Sequence, residues 1–118
     1  MNFIREVFYA ALAGRQIGKG IRLTRRGKYE EALNHYTLAL VYESKSGAAP
    51  NPALREYLAR TYTRLGNLKE ALAAAQDAYD LYQRLNSKDR LIVKSLMHVE
   101  RLIAGLKSGN VDAAKKVL

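Results

Sequence analysis

The sequence contains no cysteine and no tryptophan, and only two of its 118 residues are proline. Without cysteine the chain forms neither a disulfide nor a thiolate metal site, and it has no cysteine nucleophile. No apolar run approaches the roughly 20 residues that cross a bilayer, and the segment 7–14 is too short for a signal peptide. We therefore expect a cytoplasmic chain that does not insert into a membrane.

The composition is that of a folded helical protein. Hydrophobic residues make up 48% of the chain and charged residues 26%, which is enough apolar surface for one core. A chain of this length is normally one domain. Alanine, leucine, arginine, lysine and glutamate are abundant while proline is scarce, so the composition predicts an all-α fold.

The chain has a net charge of +9, and its positive charge is concentrated at the two ends. Residues 1–28 contain seven basic residues and one acidic residue, and residues 88–118 contain seven and three. The middle, residues 29–87, contains six basic and seven acidic residues and is close to neutral. Such ends attract anions, although a basic surface is also common in stable helical proteins without an anionic partner.

Apolar residues recur with the helical period in several separate windows, and strand-like alternation is absent. Helices are predicted to start near Tyr29, at Pro52 after an Asn51 cap, at Leu68 after an Asn67 cap, and after Ser87. Glu70 stands three residues after Asn67, as in a capping box. The apolar pattern of residues 3–26 continues through three glycines, which favours two helices or one bent helix near Gly14 over one straight helix.

A repeated turn motif connects these helices. Gly27, Gly66 and Gly109 stand 39 and 43 residues apart, and each is followed five residues later by an alanine. The glycine allows a left-handed turn, and the alanine allows the second helix to pack closely on the first. The sequence therefore predicts helical hairpins that repeat along the chain.

This pattern resembles the tetratricopeptide repeat, whose unit is roughly 34 residues long. The second copy carries the resemblance best, through Leu58, Ala59, Tyr62, Gly66, Ala71 and Ala78. The first copy matches at Gly20, Leu23, Gly27, Tyr29, Ala32, Tyr36 and Ala39, and the third keeps Leu102, Gly109, Val111 and Ala114. The resemblance implies antiparallel hairpins stacked as a short right-handed superhelix. It divides a single domain of residues 1–118 into an N-terminal helix (1–12), two repeats (13–50 and 51–86) and a partial third (87–118).

No pattern of catalytic or cofactor-binding residues is present. The two histidines, His35 and His98, lack metal-ligand spacing, and the chain has no phosphate-binding loop with its lysine. The acidic residues alternate with basic ones along helix faces, which is typical of solvated charges. We therefore expect no enzyme activity, no cofactor and no metal.

Stacked hairpins present a groove that can take a peptide or a partner helix, so the resemblance implies a protein-interaction module. In the family geometry, the partner-binding groove would include Ile17, Ile21, Arg25, Glu56, Tyr57, Arg60, Arg64, Val99 and Ile103. Relatives that grip a C-terminal carboxylate use Lys, Asn and Arg on this face. Here the corresponding positions are Ile17, Ile21, Tyr57, Leu96 and Glu100, so carboxylate-clamp binding is not expected.

Two further expectations concern the N-terminal part of the chain. A symmetric homodimer could cover its apolar residues Phe3, Val7, Phe8, Ile17 and Ile21, whose alternative role is an ordinary intramolecular core. The competing function is binding of nucleic acid or an acidic protein through a basic cluster. That cluster is Arg15, Lys19, Arg22, Arg25, Arg26 and Lys28.

Overall fold

The computed structural model describes residues 3–118, and every regular element within this range is an α-helix. The helices are α1 (Phe3–Arg25), α2 (Tyr29–Ser46), α3 (Pro52–Arg64), α4 (Leu68–Leu85), α5 (Arg90–Lys107) and α6 (Val111–Lys115). Their contacts divide the chain into two compact units. Unit 1 ends at Pro50 and contains α1 and α2, while unit 2 runs from Asn51 to Leu118 and contains α3 to α6. The expectation of a single domain stays a prediction.

The three glycine turns have the predicted conformation. The backbone φ angles of Gly27, Gly66 and Gly109 are 75°, 80° and 73°, in the left-handed region that glycine adopts without strain. The alanines that follow them by five residues, Ala32, Ala71 and Ala114, each have 0% exposure. Because these alanines have only a methyl group, the second helix of each hairpin can pack closely on the first. The predicted all-α hairpin organisation is confirmed.

The helix α1 is continuous, whereas the sequence favoured a break or bend near Gly14. The residues of α1 that are buried, Ala13, Gln16 and Gly20, recur at helical spacing, and α1 packs along α2. Gln16 is held by a 2.6 Å hydrogen bond between its Oε1 and Nδ1 of His35 on α2. This packing offsets the cost of the glycines, so α1 runs without interruption past Gly14.

The predicted N-cap positions of α3 and α4, Asn51 and Asn67, are confirmed, and that of α5 is wrong. Asn51 caps α3, since its side chain accepts a 2.9 Å hydrogen bond from the backbone N–H of Ala53. Asn67 makes no side-chain cap bond, so the predicted capping box does not form. The cap of α5 is Asp89 rather than Ser87, because Asp89 accepts from the N–H of Leu91 at 2.8 Å.

The core of unit 2 lies between α4 and its neighbours. The helix α4 packs against both α3 and α5, and α6 packs on α5 and also contacts α3. Small residues of α3, α4 and α6 meet larger ones of α4 and α5 in one cluster, formed by Ala59, Ala71, Ala75, Ala78, Tyr82, Val99, Leu102, Leu106 and Ala114. This cluster fixes which face of α5 points inward and leaves the opposite face to solvent.

Candidate partner-binding groove

The outer side of unit 2 contains an open cavity of about 430 Å³ to which both α3 and α5 contribute. Its lining residues are Glu56 and Arg60 of α3 and Lys94, Ser95, Met97, His98 and Arg101 of α5. The lining is mixed, with four basic or imidazole side chains, one thioether and one carboxylate.

The carboxylate of Glu56 is buried at the base of this cavity, with only 7% of the residue exposed. Its Oε1 accepts a 2.8 Å hydrogen bond from the Tyr82 hydroxyl, and its Oε2 accepts a 2.5 Å bond from Nη2 of Arg60. A buried charge requires such partners, since removing it from water is costly. Burial raises the pKa of the Tyr82 hydroxyl, and the nearby Glu56 carboxylate raises it further. The carboxylate of Glu56 therefore forms its hydrogen bonds within unit 2.

His98 connects three parts of unit 2 through its ring. Its Nε2 bonds to the backbone carbonyl of Val117, which can only accept, so Nε2 carries the proton. In this neutral tautomer Nδ1 accepts from Nη2 of Arg60 at 2.5 Å. The imidazole thus connects α3, α5 and the segment after α6. It holds the C-terminal residues against the wall of this cavity.

A second cavity, of about 670 Å³, adjoins the first and shares Lys94 and Met97 with it. Its other lining residues are Lys88, Arg90, Leu91 and Val93. Three of its side chains are apolar and yet strongly exposed, with Leu91 at 74%, Met97 at 49% and Val93 at 42%. We name the two cavities together the α5 groove.

The α5 groove contains part of the set of residues predicted for unit 2. Glu56 and Arg60 line it, whereas the half-buried Tyr57 and the exposed Arg64 do not. The prediction that Val99 lines the groove is wrong. Val99 is 1% exposed and belongs to the core, because the row Val99, Leu102 and Leu106 of α5 faces inward.

Ile103 is partly buried against the core of unit 2. It also lines a separate cavity of about 490 Å³ together with Gln76, Tyr79, Asp80, Glu100 and Lys107.

Sequence reasoning missed the residues of α5 that line the groove, among them Lys94, Met97, His98 and Arg101. Their spacing of i, i+3, i+4 and i+7 places them on one helix face, and that signal was present in the sequence. The family register pointed instead to the neighbouring face, which the core of unit 2 occupies.

In unit 1, the predicted groove residues Ile17 and Ile21 are half-buried and Arg25 is exposed. The first half of α1 exposes a row of large apolar residues, with Phe3 at 75%, Ile4 at 80%, Val7 at 51% and Phe8 at 58%. The predicted groove combines residues of both units, and it stays a prediction.

The basic cluster of unit 1 lies largely on one side of α1. Arg15, Lys19 and Arg22 follow one another at helical spacing, and Arg26 continues the row just after the helix ends. Among residues 3–118 no hydrogen bond or ion pair involves these four side chains, nor those of Arg25 and Lys28. This row, Arg15, Lys19, Arg22 and Arg26, is named the α1 basic row.

Within residues 3–118 no group of three or more histidine, aspartate or glutamate side chains is arranged to hold a metal ion. None of the six helices combines the length and the hydropathy required of a membrane-spanning segment.

One family model matches part of the chain. Residues 53–90 match the family model of the tetratricopeptide repeat, and this stretch covers nearly all of α3, all of α4 and the turn to α5. No curated protein and no solved structure matches the chain. The matched stretch overlaps residues 51–86, which the sequence predicted as the second repeat. The segment 53–90 is therefore similar to a tetratricopeptide repeat, and the fold around it is made of helical hairpins.

Proposed function

We propose that this protein is a non-enzymatic protein–protein interaction module that binds a partner peptide or helix in the α5 groove. The observation that supports this most directly is the exposure of Leu91, Val93 and Met97 around one continuous groove. Large apolar side chains grouped on a surface typically mark an interface. A cytoplasmic location is part of the proposal, since a chain without cysteine needs no oxidising compartment.

The groove has a rigid base, which favours binding with little reordering. Glu56, Arg60, Tyr82 and His98 are connected by hydrogen bonds, so their side chains are already fixed before a partner arrives. Preorganisation of this kind reduces the entropy cost of association. We also propose that the partner contacts the other predicted groove residues, which are Ile17, Ile21, Arg25, Tyr57, Arg64 and Ile103.

The proposal is tested by capturing partners from the protein's own cell extract in about 0.5 M salt with nuclease present, which removes weak ionic and nucleic-acid contacts. The test variant is Met97→Asp, and the matched control is Val41→Asp on α2, because the two residues have similar exposure, 49% and 45%. We expect a discrete protein to be captured by the wild type and the control and to be lost with Met97→Asp. Equal capture by all three chains, with unchanged helicity, would contradict the assignment of the groove.

A second candidate function is the binding of nucleic acid or an acidic protein by the α1 basic row. The observation that favours it is the absence of internal ion pairs along that row within the described residues. Unpaired cations at regular spacing attract phosphates or carboxylates by long-range electrostatics. No aromatic residue stands between these cations in the row, so base stacking is not part of this proposal.

Self-association is the third element of the proposal and involves the opposite end of α1. Phe3, Val7 and Phe8 are exposed as the homodimer hypothesis requires, whereas Ile17 and Ile21 are half-buried and available only in part. A second copy of the chain would remove the exposed side chains from water, at a gain of roughly 25 cal/mol for each Å² of apolar surface.

A further inference from the structure

The exposed face of α5 carries a row of cations along the α5 groove. Arg90, Lys94 and Arg101 stand at i, i+4 and i+11 of one helix, so they lie on the same side, and Lys88 precedes them in the adjoining turn. All four are exposed, and among residues 3–118 none of them makes an ion pair. The four cations outnumber the acidic residues beside them, Asp89 and Glu100, so the row gives this face an excess of positive charge.

The acidic residues next to this row are Asp89, whose carboxylate caps α5 by accepting from the N–H of Leu91, and Glu100, which lines the separate cavity with Ile103. The second cavity of the α5 groove, of about 670 Å³, has three cations and no acidic residue among its lining side chains. The first cavity of the α5 groove has one carboxylate, that of Glu56. The two oxygens of this carboxylate accept hydrogen bonds from Tyr82 and Arg60. A ligand in the α5 groove thus meets cations from Lys88 to Arg101 and three apolar side chains beside them.

We propose that the α5 groove binds an acidic amphipathic α-helix, aligned with α5, that places carboxylates on the cation row and apolar side chains on Leu91, Val93 and Met97. This inference rests on the proposed function, because it names the chemistry of the partner for the same groove. Its basis is charge complementarity together with the alternation of cationic and apolar residues along one face.

The axial spacing of the cations favours a helical partner over an extended one. A helix rises 1.5 Å per residue, so Arg90 and Lys94 are about 6 Å apart along the axis and Lys94 and Arg101 about 10.5 Å. Carboxylates at i, i+4 and i+11 of a partner helix have the same two spacings. In an extended strand, side chains on one face repeat every ~6.6 Å, which matches the first interval and misses the second.

The test measures binding of synthetic peptides by fluorescence anisotropy, in the full-length chain. The probe is a helical peptide of about 20 residues with glutamates at i, i+4 and i+11 beside a leucine stripe. A peptide with the same leucines and lysine in place of each glutamate is the matched probe. We expect the acidic peptide to bind at least about tenfold more tightly than the lysine peptide, and its affinity to fall with added salt.

Two charge-reversed variants of the protein separate a local effect from net charge. Lys94→Glu with Arg101→Glu should weaken binding of the acidic peptide by about tenfold or more. Lys69→Glu with Arg84→Glu, both exposed on α4 and outside every proposed binding surface, changes the net charge equally and should leave the affinity within about twofold. Circular dichroism and the melting temperature of each variant establish that the fold is intact.

Equal affinity for the acidic and lysine peptides would overturn the inference, as would equal weakening of binding by the two double variants. A third contrary result would be groove-dependent binding of single-stranded RNA or phosphatidylserine vesicles without peptide binding. These failures are distinct from a failure of the proposed function. Loss of a cellular partner with Met97→Asp, together with no preference for acidic peptides, would retain the groove and reject its acidic ligand.

Discussion

The ring of Tyr36 on α2 occupies the space where a β-carbon of Gly20 on α1 would stand. Tyr36 is 1% exposed, and its hydroxyl lies 3.2 Å from Oγ1 of Thr24, one turn further along α1. The absence of a side chain at Gly20 is therefore what allows α1 and α2 to pack at this distance.

Replacing Gly20 with alanine should destabilise the protein, although alanine is the better helix former. The added methyl group would meet the buried ring of Tyr36, and overpacking of this kind costs about 1–3 kcal/mol. Gly14→Ala is the control in the same helix, since nothing lies within 4 Å of its β-carbon position. The control should raise the free energy of unfolding by about 0.5–1 kcal/mol. Urea denaturation measures both changes, and an equal sign for the two variants would refute this account of the packing.

The hydroxyl of Tyr82 should contribute stability that depends on pH. Burial and the Glu56 carboxylate raise its pKa above the ordinary value of 10.0, so the folded state keeps the proton that the unfolded chain loses. This contribution is fully present below pH 10 and falls as the pH rises above it. In Tyr82→Phe, we expect the loss of stability between neutral pH and about pH 10.5 to be smaller than in the wild type.

At neutral pH, Tyr82→Phe should lower the free energy of unfolding by about 1–3 kcal/mol, because the buried Glu56 loses a donor. Tyr79→Phe is the control for the loss of a hydroxyl, since the Tyr79 hydroxyl accepts a 2.7 Å hydrogen bond from the exposed side chain of Gln83. Its effect at neutral pH should be within about 0.5 kcal/mol. Denaturation curves of the three chains at both pH values provide the comparison.

His98→Ala should loosen the C-terminal segment of unit 2. The variant loses the bond from Nε2 to the Val117 carbonyl and the bond from Arg60 to Nδ1. Hydrogen exchange of residues 108–118 should become faster, because opening of this segment then requires fewer broken contacts. His35→Ala is the control, as His35 bonds to Gln16 within unit 1. Unchanged protection of residues 108–118 in His98→Ala would show that the histidine does not hold the segment.

Neutralising the α1 basic row should test the second candidate function without affecting the first. The change Arg15→Gln, Lys19→Gln and Arg22→Gln removes three cations from the face of one helix. Each phosphate contact that is lost should reduce the slope of log affinity against log salt by about 0.7 for single strands. Electrophoretic shift of a labelled oligonucleotide at several salt concentrations gives this slope. Binding that is equally strong after the change would exclude the row as its site.

Charged residues at the apolar end of α1 should prevent self-association. Val7→Asp with Phe8→Asp places carboxylates where a dimer interface would exclude water, at 51% and 58% exposed positions. Light scattering at high protein concentration should give the dimer mass for the wild type and the monomer mass for the variant. A wild-type chain that is strictly monomeric under these conditions would reject the homodimer hypothesis.

A test proposed from the sequence alone would have given a misleading result. Polar substitution of Val99 is the natural test of a groove that contains it, but Val99 is 1% exposed and belongs to the core. Such a variant would lose binding through unfolding of unit 2. Met97, two residues earlier, is 49% exposed and lines both cavities, so it tests the surface itself.

The sequence by itself determined the hairpin turns, because their cause is local. A glycine such as Gly66 at φ 80° and an alanine such as Ala71 five residues later specify a reversal and a close helix contact. The periodicity of apolar residues likewise predicted the positions of α2 to α5, because a helical stripe is a property of one segment.

Only the tertiary structure decided which helix face is buried and which is available to a partner. The helix α5 carries apolar residues on more than one side, and its orientation depends on Ala75, Ala78 and Tyr82 of α4, which are distant in sequence. The continuity of α1 past Gly14 has the same cause, since contacts along α2 offset the low helix propensity of glycine. Side chains such as Val99 and Met97 have similar hydrophobic character in the sequence, and only the packing of neighbouring helices places one in the core and the other on the surface.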